Sequence, residues 1–238
     1  YYSPTKIDNI ETYTERRIRE LLSERKEDEE YTFIDSSEDF LKGLEVSKMR
    51  FVILSLDIKG STKMSQELST EQNSQLISLF SSEMSKLIEK FNGYVLKYLG
   101  DGIIAYFPEP NYIGMNDNAI DCANCIKYFI ERGLNEVFFE KKLPSLSFRI
   151  GLDSGEANVM TIGSPQTKMH KDLIGQTINL ATKIQSLAKA NQILAGEATI
   201  RNAHHSYRKQ FIKIDLPQDW EYIKQGTGKK YKIYASVV

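Results

Sequence analysis

The chain has 238 residues, with 31 Lys and Arg against 32 Asp and Glu and a net charge of −1. This length can bury one large core with an appendage, and we expect no second full domain. The balanced charge excludes the global basic field that attracts nucleic acid or an anionic membrane, so any affinity for phosphate must be local. Because no apolar run reaches the length of a membrane span and the first residues lack the features of a signal peptide, we expect a cytoplasmic protein.

Residues 1–47 are predicted to form an N-terminal helical arm. Charged residues dominate this part of the sequence, and apolar residues recur within it at helical spacing. The apolar residues form two stripes, Ile10, Tyr13, Ile18, Leu21 and Leu22, and then Phe40, Leu41 and Leu44. A charged run over Lys26–Glu30 separates the stripes. Because so few apolar residues cannot form a core, we expect the arm to pack on the main domain or on a partner chain.

Residues 48–238 are predicted to form the main domain, which begins with a strand at Met49 and continues with helices and strands in a mixed order. A long helix, a hairpin, a second helix, two strands, a third helix, a strand and a C-terminal strand pair follow. The predicted bounds are Thr70–Phe91 and Asn116–Arg132 for the first two helices, Leu146–Gly151 and Glu156–Ile162 for the two strands, Ile174–Ala190 for the third helix, and Gln192–Gly196, Phe211–Asp215 and Lys230–Val237 for the last strands. This order indicates an α+β fold with a helix-covered, largely antiparallel sheet.

The two cysteines, Cys122 and Cys125, have the C-x-x-C spacing of redox and metal sites. They lie in a segment with helical period, where small thiols on an apolar face are typical of core packing. The sequence has three histidines and no second cysteine pair, so it lacks a convincing ligand set for zinc. We therefore interpret both cysteines as core residues.

Two carboxylates stand at the polar ends of apolar strands. A run of apolar residues ends at Asp57, after which Gly60 turns the chain and Ser61 can cap the next helix. Asp101 lies between two glycines in a predicted hairpin turn. Each carboxylate alone is typical of a turn or a cap. Together they match what divalent cations on a triphosphate require, because Mg²⁺ prefers oxygen ligands.

The surrounding motifs resemble those of the class III nucleotidyl cyclases, the family of the adenylate and guanylate cyclases. The resemblance rests on five stretches in the expected order, which are Leu56-Asp-Ile-Lys-Gly-Ser-Thr62, Lys97-Tyr-Leu-Gly-Asp101, Phe148-Arg-Ile-Gly-Leu-Asp-Ser-Gly155, Asp172-Leu-Ile-Gly-Gln-Thr-Ile-Asn-Leu-Ala-Thr-Lys183 and Ile223-Lys-Gln-Gly-Thr-Gly228. The resemblance covers roughly residues 49 to 236 and implies a ferredoxin-like core. Leu56 departs from the family pattern, which has Phe at this position.

The resemblance assigns a metal site and two phosphate-binding residues. Asp57 and Asp101 would ligate two divalent cations, Mg²⁺ or Mn²⁺, with the backbone carbonyl of Ile58 helping one of them. Arg149 and Lys224 match positions that bind the β- and γ-phosphates of a nucleoside triphosphate. Taken by themselves, these two cations could also be surface residues beside strands, although a charge inside the apolar run around Arg149 needs a partner.

The resemblance also assigns Asn179 and Lys183 to the transition state. Asn179 would orient the ribose, and Lys183 stands where the family has Arg, so it would supply charge without the planar hydrogen bonding of a guanidinium. Polar residues four positions apart on a helix usually face only water. In the family, the metal carboxylates come from one subunit and these residues, with the base-reading residues, from the other, so the resemblance implies an obligate homodimer with two equivalent sites.

Lys97 and Asp172 would recognise the base of the nucleotide, because they occupy the adenine-reading positions of adenylate cyclases. One donor and one acceptor also complement cytosine and, with partners exchanged, uracil. The overall form resembles the bacterial pyrimidine cyclases of anti-phage defence, so we favour cUMP or cCMP as the product, read by a separate effector. An adenylate cyclase making cAMP is the alternative. A degenerate module that binds nucleotide without turnover also stays open, because Lys183 replaces Arg.

Overall fold

The computed structural model describes residues 8–22, 33–44, 48–108, 112–163, 169–224 and 226–238. Its first half contains two helices of the arm, a central strand, two further helices and a strand hairpin. These elements are α1 (Asp8–Leu22), α2 (Phe33–Lys42), β1 (Lys48–Ile58), α3 (Ser61–Glu67), α4 (Thr70–Lys90), β2 (Tyr94–Leu99) and β3 (Gly102–Pro108). Of the residues expected in the arm, Lys26–Glu30 lie outside the described part of the chain.

The second half alternates helices and strands. Its elements are α5 (Tyr112–Phe129), which continues through a π-helical segment (Ile130–Leu134) into α6 (Asn135–Glu140), then β4 (Phe148–Ile162), β5 (His170–Ile174), α7 (Gln176–Leu187), β6 (Gln192–Gly196), α8 (Glu197–Asn202), α9 (His205–Arg208), β7 (Phe211–Lys213) and β8 (Ile233–Ser236). The predicted α+β class is confirmed.

One mixed sheet holds the eight described strands in the order β2-β3-β1-β4-β6-β8-β7, with β5 paired to β4 off this path. Every pairing is antiparallel except the parallel pair β4–β6. The prediction of two strands between Leu146 and Ile162 was wrong, because β4 runs unbroken through both. Antiparallel pairing with β1 continues through Asp153 and Ser154, so the residues between the two predicted strands are held in the ladder.

The sheet is buried on both faces by helices. Side chains alternate along β1, so that Val52 and Leu54 join the cluster formed with α4 and α5, while Phe51 and Ile53 join a second cluster with α2 and α7. By this alternation Asp57 belongs to the same face as Phe51 and Ile53. Both cysteines lie in the first cluster and are free thiols, and burial raises the pKa of Cys125 to about 12. Their interpretation as core residues is confirmed.

The described part of the arm packs on the main domain. In α1, Arg17 donates two hydrogen bonds of 2.8 Å to the buried carboxylate of Glu83 in α4. In α2, Phe40 stacks on Tyr94 with a centroid separation of 4.5 Å, and Ser37 lies 3.1 Å from the Tyr106 hydroxyl. Helix α1 thus packs on the helices that cover one face of the sheet, and α2 packs on the other face.

Candidate active site

The end of β1 and the β2–β3 turn lie side by side. Pairing of β1 with β3 extends to Leu56, which lies opposite Ile103. Asp57 follows Leu56 in β1, and Gly102 precedes Ile103 in β3. A Cβ placed on Gly102 would lie 3.2 Å from the Leu56 carbonyl oxygen and 3.6 Å from Asp57 Cβ. Gly100 has a φ of +64°, which the tight turn requires. The predicted hairpin is confirmed, and it brings the turn that contains Asp101 to the end of β1.

The turn after β1 differs from the expectation in one respect. Gly60, with a φ of +84°, is the N-cap of α3, and its helix has no side-chain cap. Ser61 is the first residue of α3 and not its cap. The glycine therefore sets the direction of the chain after Ile58 through its backbone conformation alone.

Arg149 binds Asp57 through both carboxylate oxygens. Its Nε lies 3.1 Å from Asp57 Oδ1, and its Nη2 lies 2.5 Å from Oδ2. The two residues are direct cross-strand partners in β4 and β1. Their side chains are 18% and 25% exposed, respectively. The charge of Arg149 in this apolar strand is thus balanced by Asp57, a predicted metal ligand. The sequence pattern did not predict this pairing.

The residues at this strand end fit a divalent cation. Two carboxylates, Asp57 and Asp101, and the backbone carbonyl of Ile58 offer the oxygen ligands that Mg²⁺ and Mn²⁺ prefer. Within the described residues, no group of three or more His, Cys, Asp and Glu is arranged to hold a metal ion. Such a donor set suits a cation shared with substrate phosphates better than a closed structural site.

Lys97 and Asp172 form an ion pair with a distance of 2.8 Å between Nζ and Oδ2. The other carboxylate oxygen of Asp172 accepts a hydrogen bond of 2.8 Å from the Leu173 backbone. Lys97 lies on β2 and Asp172 on β5, which are not neighbours in the sheet. The structure therefore joins these two predicted base-reading residues and also shows that Asp172 belongs to a strand that the sequence pattern did not predict.

Asn179 and Lys183 lie on the exposed side of α7. The buried side of this helix consists of Thr177, Leu180, Ala181, Ile184 and Gln185. Among the described residues, no hydrogen bond or ion pair joins Asn179 or Lys183 to Asp57 or Asp101. Within one chain, the predicted transition-state residues therefore have no direct polar contact with the predicted metal ligands.

Lys224 lies in a different place from Arg149. Its Nζ is 3.4 Å from Glu197 Oε1, and it lines a polar cavity of about 550 Å³ that also contacts the first residues of α7. Lys48 and Arg50, at the start of β1, line the same cavity, whereas Arg149 pairs with the residue at the end of β1. The two predicted phosphate-binding cations are therefore not brought together within the chain.

The same cavity contains a buried carboxyl group that the sequence reasoning missed. Asp153 accepts a hydrogen bond of 2.6 Å from the Tyr231 hydroxyl, and burial raises the pKa of Asp153 to about 7. Asp153 lies in the Phe148–Gly155 motif. A carboxylate within this strand is the sequence feature that could have identified it. The Tyr231 hydroxyl also accepts a hydrogen bond of 2.9 Å from the Ala198 backbone. This network ties α8 to the sheet.

Comparisons with known proteins identify the family of this chain. The model of the adenylate and guanylate cyclase catalytic domain family matches residues 46–233. A cytidylate cyclase of Staphylococcus aureus is 29% identical over 212 residues, which are 86% of this chain and 49% of that protein. An adenylate cyclase of Anabaena cylindrica is 28% identical over 165 residues, 66% of this chain and 31% of that protein. The chain thus spans half or less of the length of these relatives.

A solved structure shows the same fold. The crystal structure of the adenylyl cyclase CyaB from P. aeruginosa superposes with a TM-score of 0.69 at 24% identity, covering 82% of this chain and 97% of that chain. Among the described residues, no helix is long and apolar enough to cross a membrane.

Proposed function

Because this chain belongs to the adenylate and guanylate cyclase catalytic domain family, we propose that it is a nucleotidyl cyclase. The reaction converts a nucleoside triphosphate to a 3′,5′-cyclic nucleotide and pyrophosphate. The ribose 3′-oxygen loses its proton and bonds to the α-phosphorus, and the bond from that phosphorus to the pyrophosphate oxygen breaks. The observation that supports this most is the meeting of Asp57, Arg149 and the Asp101 turn at one strand end.

We assign two divalent cations, Mg²⁺ or Mn²⁺, to Asp57, Asp101 and the Ile58 carbonyl. Bound there, they would lower the pKa of the 3′-hydroxyl and offset negative charge on the phosphates. Arg149 would bind the terminal phosphates with its guanidinium, which suits phosphate oxygens through paired hydrogen bonds. Lys224, which lies apart from Arg149 within one chain, would add a point charge to the same phosphates from a second chain.

We further propose that two chains form each site. Asn179, which would orient the ribose, and Lys183, which would place charge at the α-phosphate, are exposed on α7 and, among the described residues, form no hydrogen bond or ion pair with the metal ligands. A head-to-tail homodimer would bring these residues of one chain against Asp57 and Asp101 of the other, which gives two equivalent sites. A monomer would then hold only half of each site and would be inactive.

Subunit mixing tests this arrangement. Asp57→Ala and Asn179→Ala should each be inactive, and their mixture should regain activity because one site of the heterodimer keeps both intact halves. The matched control is a mixture of Asp57→Ala with Asp101→Ala, which damages both sites of the heterodimer and should stay inactive. Product formation measured by mass, with subunit exchange verified by two affinity tags, separates the cases. A first mixture that exchanges subunits yet stays inactive contradicts the shared site.

For the base, we propose a pyrimidine. The Lys97–Asp172 pair offers one donor and one acceptor, which complement cytosine or uracil, and a relative with 29% identity is named cytidylate cyclase. The product would then be cCMP or cUMP, acting on a separate effector in anti-phage signalling. The Anabaena relative named adenylate cyclase supports ATP as the second candidate. Competition among UTP, CTP, ATP and GTP, with products identified by mass, decides between them, and a clear preference for ATP rejects the pyrimidine.

A further inference from the structure

The Arg149–Asp57 ion pair is held by the sheet itself. The two residues are direct partners in the β1–β4 ladder, so their backbones are fixed relative to each other. The guanidinium uses two N–H groups on the two carboxylate oxygens, at 3.1 and 2.5 Å. Ion pairs of this bidentate form are stronger and more directional than single contacts. Since both side chains are largely shielded from water, the pair is also weakly screened.

This ion pair competes with the metal ligation that Asp57 is assigned. A guanidinium on both oxygens of Asp57 places a positive charge at contact distance from any cation that approaches the carboxylate. Asp57, Asp101 and Arg149 together carry a net charge of −1, so one divalent cation would leave the strand end positive. A triphosphate removes this imbalance, because it brings negative charge and offers oxygens to the same guanidinium.

We propose that Arg149 is the counter-ion of Asp57 in the nucleotide-free chain and leaves it only when a triphosphate arrives. This inference rests on the proposed function and adds an order of events to it. Divalent cations bind weakly to the free chain, and nucleotide and metal strengthen each other's binding. Arg149 thus controls when a cation can bind Asp57, besides its assigned contact with phosphate. The arrangement keeps the carboxylate paired while the site holds no substrate.

Metal binding without nucleotide tests this inference directly. Mn²⁺ alone is titrated into the full chain by calorimetry, with the free ion followed by electron paramagnetic resonance. Arg149→Gln removes the charge and should tighten Mn²⁺ binding about tenfold, which corresponds to about 1.4 kcal/mol. The matched control is Lys59→Gln, which removes an exposed charge two residues from Asp57 and should change the affinity by less than about twofold.

A third variant identifies the site. Asp57→Ala should abolish the Mn²⁺ binding seen in the wild type and in Arg149→Gln. If it does, and Arg149→Gln binds Mn²⁺ no more tightly than the wild type, the counter-ion inference is overturned while the metal site stands. If Asp57→Ala leaves Mn²⁺ binding unchanged, Asp57 is not a metal ligand, and the proposed function fails with the inference.

Thermal unfolding shows whether each variant is folded. Mn²⁺ should raise the unfolding temperature of Arg149→Gln more than that of the wild type, since the ion replaces the lost partner of Asp57. If Arg149→Gln does not fold, Arg149→Lys serves instead. Lysine keeps the charge but binds Asp57 through one ammonium group instead of two guanidinium N–H groups. Mn²⁺ binding should therefore tighten by about threefold, less than in Arg149→Gln. An affinity equal to that of the wild type in this variant also overturns the inference.

Discussion

Gly151 determines how closely α7 lies on the sheet. A Cβ placed on Gly151 would lie 2.4 Å from both the Ala181 carbonyl oxygen and the Gln185 nitrogen. Both atoms belong to the backbone of α7, so no side-chain rotation can remove the clash. Ordinary contacts of a Cβ atom begin at 3.4 Å, so Gly151→Ala requires α7 to retreat by about 1 Å.

This retreat has two expected costs. Overpacking a buried contact typically destabilises a protein by about 1–3 kcal/mol, and two backbone contacts place Gly151→Ala at the upper end. Helix α7 also carries Asn179 and Lys183, which the proposed mechanism aims at the ribose and the α-phosphate. A displacement of this size lowers catalytic rates by roughly a hundredfold when it misplaces reacting groups. We therefore expect Gly151→Ala to lose about 3 kcal/mol of unfolding free energy and most of its cyclase activity.

Urea unfolding and initial rates of cyclic-nucleotide formation, corrected for the folded fraction, measure the two effects. The matched control is Gly43→Ala, whose added Cβ would have its nearest neighbours at 3.5 and 3.6 Å and should leave both quantities unchanged. Wild-type stability in Gly151→Ala would refute the packing argument. Lower stability with a full rate per folded molecule would instead refute the role given to the position of α7.

Three further sets of variants test separate parts of the structure. Lys97→Ala or Asp172→Ala should lower base selectivity by about ten- to a hundredfold while metal-dependent turnover survives in part, measured by competition among the four triphosphates. Burial raises the pKa of Asp153 to about 7, above its usual value near 4, so the stability that it contributes is complete below about pH 4 and is lost as the pH rises to 7. Asp153→Asn should therefore gain about 3 kcal/mol relative to the wild type between pH 4 and 7 in urea unfolding. Arg17→Met leaves the buried Glu83 without its main partner and should cost about 3 kcal/mol, most of which Glu83→Gln should restore.

Each of these variants has a control or a contradicting result. Selectivity that survives the loss of Lys97 contradicts its role in reading the base. The exposed Asp219→Asn should show the same pH dependence as the wild type, and an Asp153→Asn curve that also parallels the wild type contradicts the buried-carboxyl argument. Arg16→Met removes an exposed arginine of the same helix and should cost less than about 0.5 kcal/mol. An equal loss in Arg16→Met and Arg17→Met would show that the buried ion pair does not anchor α1.

The sequence by itself determined the features that depend on neighbouring residues. The strand that ends at Asp57, the hairpin around Asp101 and the helical core position of both cysteines follow from side-chain periodicity and from glycines in the turns. The motif order also predicted the family, which the match over residues 46–233 confirmed. The roles of the site residues remain predictions, since they involve a bound substrate and the proposed second chain.

Only the tertiary structure decided which of these elements meet. The ion pair of Arg149 with Asp57 joins residues 92 positions apart, and that of Lys97 with Asp172 joins residues 75 positions apart. No local pattern encodes such pairs, because they depend on the order and register of strands in the sheet. The unbroken strand β4 was missed for the same reason. Asp153 and Ser154 lie between the two predicted strands, and pairing with β1 from Phe148 to Asn158 holds them in one strand.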